Sequence, residues 1–172
     1  MTFTERFQTF VCEGDTISCE AQGFEITARI VREFRGSENA PGERFPEGRG
    51  DAPDQRQDGF WPSLYKDAPG FIGPGPNPRQ RFAEAQAKAE AVMEAWRKDE
   101  WFYCGIVLSI ALEGVTLERN AAALFGIEAN YPDSDNAYLT EVAQELLPEA
   151  LDAGRAAARR LCAALETSGA RA

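Results

Sequence analysis

Residues 101–112 read WFYCGIVLSIAL, and the placing of this run decides the fold. It is apolar on both parities, so it does not alternate like a strand with one wet face; it fits a central strand covered on both sides. Glu113-Gly114 turns it into VTLER (115–119), and ALFGIEA (123–129) follows as a further strand that Tyr131-Pro132 stops. Upstream, FQTFVC (7–12), DTISCEA (15–21) and FEITARIVREF (24–34) read as three short strands of a meander, with Glu13-Gly14 and Gln22-Gly23 as its turns. In the third of these, Phe24, Ile26, Ala28 and Ile30 alternate with Glu25, Thr27, Arg29 and Val31, the pattern of a half-buried strand.

Helical periodicity appears twice. From 78 to 99, Phe82, Ala85, Ala89, Val92 and Trp96 recur at 3-4-3-4 spacing, so one face is apolar. Asn77 caps this helix, Pro78 suits its first position and Gln80 completes a capping-box-like pair. Glu84–Lys88 and Glu94–Lys98 decorate the outside at i,i+4. A second helix starts near Asn136 and runs to residue 166, with Leu139, Val142, Ala143, Leu146, Leu147, Ala150, Leu151, Leu161, Cys162 and Leu165 as its buried stripe. Pro148, inside this pattern, is expected to kink the helix or divide it in two. The expectation is a single α+β domain over 1–172, an antiparallel-rich sheet of about five to seven strands with two main helices packed on it. Residues 153–172 form a helical tail.

Between strands and helices lies a long gap. RGSENAPGERFPEGRG (35–50) has too much Gly, Pro and charge to offset its ordering entropy and reads as a mobile insertion. The Arg49-Gly50-Asp51 tripeptide formed at its end is read as chance. Residues 51–77 form a Pro/Gly/aromatic loop in which GFWPSL could be an edge strand, and Phe60 and Trp61 are expected to anchor the loop onto the sheet or to form a recognition surface. GFIGPGPNPR (70–79) does not suit a phosphate loop, because Pro74, Pro76 and Pro78 remove three backbone donors and no GK[ST] follows.

Composition narrows the chemistry. Histidine is absent, so a Ser–His or Cys–His nucleophile is impossible and the commonest zinc ligand is missing. Cys12, Cys19, Cys104 and Cys162 form no CxxC pair; with no apolar leader in MTFTERFQTF they read as reduced thiols in a cytoplasm. No apolar run approaches the roughly 20 residues that span a bilayer. Net charge is −10 with a sequence pI near 4.6, which disfavours direct contact with a phosphate backbone or an anionic membrane and favours a partner with a basic surface.

That charge is concentrated. Residues 128–152 hold Glu128, Asp133, Asp135, Glu141, Glu145, Glu149 and Asp152 and no Lys or Arg. On a helical wheel Glu141, Glu145 and Asp152 fall within about 40° of one another, with Glu149 nearby, on the side away from the apolar stripe. The bland reading is a solvated helix face, since like charges at i,i+4 cost only a few tenths of a kcal/mol per pair. A sharper reading is a protein-binding face of Glu141, Glu145, Glu149 and Asp152, with Phe60 and Trp61 as further candidates. Another is a Mg²⁺ or Ca²⁺ site of Glu128, Asp133, Asp135 and Glu141. Asp133-Ser134-Asp135-Asn136 starts like a calcium loop but lacks its Gly and its closing Glu.

The segments DAPDQRQDGFWPSL, AWRKDEWFYCGIVLSI and FGIEANYPDSDNAYLTEVAQELL together resemble small proteins encoded by bacteriophages and bacterial mobile elements, over residues 6–34 and 51–150. The 35–50 insertion and the Ala/Arg-rich tail after 152 depart from that pattern. The resemblance carries over no catalytic residue and no cofactor; it implies a bacterial cell and an accessory role against host systems. The leading expectation is therefore a non-enzymatic interaction protein that modulates or inhibits a host nucleic-acid-binding or defence protein. A carboxylate- and divalent-metal-dependent enzyme is the alternative. A single-stranded nucleic-acid binder stacking bases on Phe60 and Trp61 is the weaker one.

Overall fold

The computed structural model describes residues 2–33, 84, 87, 91–92 and 94–169. The chain divides into two compact units, Met1–Glu33 with Tyr103–Ala172 and Phe34–Phe102. In chain order the elements are β1 (Thr16–Ala21), β2 (Phe24–Arg32), α1 (helical at 84, 87, 91–92 and 94–97), β3 (Phe102–Leu112), β4 (Val115–Ala129) and α2 (Ala137–Gly169). The 35–50 insertion and the 51–77 loop, with Phe60 and Trp61, lie outside the described residues. No described helix is long and apolar enough to cross a membrane.

The first unit is built on an antiparallel sheet in the order β1-β2-β3-β4. Two of its connections are the tightest hairpins available. Gln22 and Gly23 have φ of 56° and 82°, and Glu113 and Gly114 have φ of 50° and 74°. Two consecutive left-handed residues make a type I′ turn, whose twist matches that of the flanking strands.

Register follows from the apolar alternation. Ile26 pairs with Ile110, Ala28 with Leu108 and Ile30 with Ile106, while Ile17 of β1 faces Ala28. All seven are almost completely buried on one face. A slip by one residue would turn Glu25, Thr27 and Arg29 inward, so side chains worth about 1.5–3 kcal/mol each on burial hold the pairing in place. α2 crosses this face, lying against β4 and β2. The approach is close at Gly154, where a Cβ would come within 2.4 Å of Ile110 Cδ1.

β3 is buried from Phe102 through Leu108 on both parities, as a central strand requires. On the face away from α2 the Phe125 ring lies on Gly105, 2.3 Å from where a Cβ would stand.

Several expectations are corrected. The described residues form four strands, and the expected five to seven are not reached among them. Residues 7–12 are not a strand. They belong to an arm whose buried Phe3, Phe7 and Val11 are spaced by four, and whose N–H groups bond side chains rather than a neighbouring strand. Residues 115–129 form one strand rather than two. Within it Gly126 has φ of 82° and donates its N–H to the Glu33 carboxylate, a local interruption of the ladder.

α2 runs through Pro148 without division. Pro148 is exposed, on the solvent side of the helix. Leu161, Cys162 and Leu165 are exposed rather than buried; Ala157 is the last buried residue of α2 among those described, and beyond it Arg160 reaches Glu118 of β4 only through its long side chain, at 3.5 Å.

In the second unit, α1 buries Val92, Ala95 and Trp96. Phe82, Ala85 and Ala89 of the expected stripe lie outside the described residues. Glu94 and Lys98 form the expected pair at 2.7 Å. The helix ends in a Schellman motif with Asp99 at φ 66°: Asp99 N–H donates to Trp96 C=O at 3.0 Å and Glu100 N–H to Ala95 C=O at 2.9 Å. Trp101 then folds back, its indole N–H donating to Val92 C=O at 2.9 Å and its ring 4.7 Å from that of Trp96.

Candidate functional site

The loop between β4 and α2 sets the acidic helix in place. Asn130, Asp133 and Asn136 have φ of 58°, 68° and 59°, the left-handed region that Asn and Asp tolerate best among residues with side chains. Ser134 N–H donates to Tyr131 C=O at 2.9 Å, closing a turn with Pro132 and left-handed Asp133 at its centre. Asp135 Oδ1 accepts the Ala137 N–H at 3.0 Å and so satisfies one orphan donor of the helix start.

Asn136 is completely buried and fully employed. Its Oδ1 accepts the Asn130 N–H at 2.9 Å, and its amide donates to Thr9 C=O at 3.0 Å and to Asn130 Oδ1 at 2.8 Å. Asn130 in turn accepts the Val11 N–H at 2.9 Å and donates to Val11 C=O at 2.8 Å. The two asparagines thus pin the end of the N-terminal arm. One turn apart on α2, Thr140 Oγ1 accepts the Phe7 N–H at 3.1 Å and Gln144 Oε1 the Phe3 N–H at 3.0 Å. Sequence reading took NYPDSDN for a charge feature; its chief contribution is this polar lock.

With one side of α2 against the sheet and another under the arm, its outer side carries the acids. Glu141, Glu145, Glu149 and Asp152 are all exposed. Among the described residues no Lys or Arg pairs with Glu141, Glu145 or Glu149. Asp152 differs: Arg155 sits 2.6 Å from it and also bonds Gln22 of the β1–β2 turn. Three of the four predicted acids therefore form the uncompensated face, spaced one turn apart at roughly 6 Å.

The carboxylates considered as a cation site have separate settings. Glu128 accepts from the Tyr103 hydroxyl at 3.4 Å, Asp135 caps α2, Asp133 occupies the loop turn and Glu141 is on the helix surface. Among the described residues no three Asp, Glu or Cys side chains are grouped to hold a metal.

Two titratable groups, buried Cys104 and half-buried Tyr138, are shifted. Burial, with a smaller contribution from Glu33, pushes the Cys104 thiol up to about 12. Burial likewise pushes the Tyr138 phenol up to about 12; the Ser134 hydroxyl opposes the shift, and Glu128 and Cys104 add to it. The Tyr138 hydroxyl is buried with no hydrogen-bond partner within bonding geometry. A thiol held protonated in this way is a poor nucleophile.

Comparisons with protein-family models, with curated proteins and with solved structures give no match.

Proposed function

We propose that the chain is a non-enzymatic interaction protein of a phage or mobile element. In this reading it docks the acidic face of α2 onto the basic surface of a host nucleic-acid-binding or defence protein. The observation that carries this reading is the row Glu141, Glu145 and Glu149, exposed and without a basic partner among the described residues, on a helix held by the arm and the sheet. A rigid row of like charge costs little in water and gives a cationic surface several simultaneous contacts, which raises encounter rates and fixes register. The net charge of −10 works in the same direction. The Asp152–Arg155 pair marks the end of the uncompensated row, so the face centres on the first half of α2.

The test is affinity capture from bacterial lysate at low and high salt, with the wild type beside Glu141→Lys/Glu145→Lys/Glu149→Lys. The expected result is a partner retained at low salt, released at high salt and missing with the variant. A partner captured equally by both proteins would remove the acidic face from the interaction.

A further inference from the structure

We propose that a depression beside Gln144 receives an apolar side chain from a basic peptide segment of the partner. The proposal rests on the acidic-face reading and names the chemistry of the segment that binds there. The N-terminal arm shows how α2 holds a neighbouring chain segment: side chains four residues apart are buried, and the N–H groups of Phe7 and Phe3 are taken by Thr140 and Gln144, polar groups one turn apart on the helix. That track ends at Gln144, which holds the Phe3 N–H.

Past this point the surface opens into a depression of about 400 Å³ over Leu147, Pro148 and Leu151. Arg155, held by Asp152 and Gln22, closes its far end. The volume is at the small end of ligand sites, suited to a side chain or two rather than a large cofactor. Leu147, Pro148 and Leu151 make its apolar part, beside the polar Gln22, Gln144 and Asp152, and its rim offers no unpaired cation because Arg155 already has its carboxylate.

Charge selects the occupant. Glu145 and Glu149 each follow a lining residue, Gln144 and Pro148, by one position, so the uncompensated carboxylates stand on the solvent side of the same helical turns. A segment with Leu or a similar side chain flanked by Lys or Arg satisfies both surfaces at once. An apolar acidic segment is repelled, and a purely cationic one leaves the apolar part wet.

The experiment uses the full chain and two labelled probes of equal charge, Lys-Lys-Leu-Leu-Lys-Lys and Lys-Lys-Gln-Gln-Lys-Lys, followed by fluorescence anisotropy at low salt. The expected result is at least fivefold tighter binding of the Leu probe. Pro148→Trp, which fills the depression from an exposed position, should abolish this preference without changing the Gln probe, and Pro148→Ala should keep it. Glu141→Gln/Glu145→Gln/Glu149→Gln should weaken both probes alike. Equal affinity for the two probes, or a Leu preference that survives Pro148→Trp, overturns the groove while the loss in the Gln triple variant leaves the acidic face standing. If the triple variant binds both probes as the wild type does, the acidic face fails and the groove proposal with it.

Discussion

Replacing Asn136 by Ala tests whether the asparagine lock holds the acidic helix where it is. The substitution removes three side-chain hydrogen bonds, from Asn130 N–H and to Thr9 C=O and Asn130 Oδ1, from a completely buried position. It leaves the Asn130 N–H and the Thr9 carbonyl without partners. The exposed Thr9 can turn its carbonyl to water, so the Asn130 N–H carries the main cost, about 1–3 kcal/mol for a buried group, and placing Ala at φ 59° adds about 1–2 kcal/mol relative to Gly. The expected loss is about 3–4 kcal/mol, near the upper end for a point substitution. Equilibrium urea unfolding followed by far-UV dichroism measures it. Asn136→Gly should lose about 1–2 kcal/mol less than Asn136→Ala, because it relieves the backbone term alone. Asn130→Ala attacks the same network, so the double variant should be at least about 1 kcal/mol better than the sum of the singles. A loss below about 1 kcal/mol, or strict additivity of the two asparagines, would refute the lock.

Further outcomes follow from the same packing. Gly154→Ala should lose about 1–2 kcal/mol to its clash with Ile110, set against about 1 kcal/mol of helix propensity gained, for a net loss under about 1 kcal/mol; in an Ile110→Val background, which removes Cδ1, the same substitution should stabilise, as urea melts of the cycle will show. Leu147→Ala should cost about 2–4 kcal/mol and Leu165→Ala under about 0.5 kcal/mol, since the first is buried and the second is 72% exposed. Native thiol titration should label exposed Cys12 and Cys162 quickly, half-exposed Cys19 more slowly and Cys104 only on unfolding. Cys104 and Tyr138 both hold their protons more tightly folded than unfolded, so stability should fall as pH rises from about 9 toward about 12. Tyr138→Phe should flatten the upper part of that fall, and because no contact of its hydroxyl, that with Ser134 included, reaches full hydrogen-bond geometry, it should cost under about 1 kcal/mol at pH 7; a larger loss would contradict that placement.

The sheet was legible because its signals are local. WFYCGIVLSIAL had to be covered on both faces, and Gln22-Gly23 and Glu113-Gly114 had to turn. The arm was misread because an aromatic-rich run such as FQTFVC satisfies strand composition; its spacing of four between Phe3, Phe7 and Val11 was the signal against a ladder. Leu161 and Leu165 continue the apolar period of α2, and no periodicity reveals where burial along a helix stops. Residues 115–129 looked broken at 120–122 because polar Glu118, Arg119 and Asn120 suggest the approach to a loop, whereas an edge strand tolerates them on its wet positions. At the candidate site the exposed row Glu141, Glu145, Glu149 was readable from the wheel. The Asp152–Arg155–Gln22 link and the Asn130–Asn136 lock were not, since both join residues distant in the chain.

The central claim is that Glu141, Glu145 and Glu149 carry the partner contact. Its most direct test is the affinity of the captured partner for the wild type and for Glu141→Gln/Glu145→Gln/Glu149→Gln across a salt series. Exposed charges are screened within roughly 8–10 Å at physiological ionic strength. The account predicts at least tenfold weaker binding of the variant at low salt, with the two curves converging at high salt. Curves that coincide at every salt concentration would contradict it.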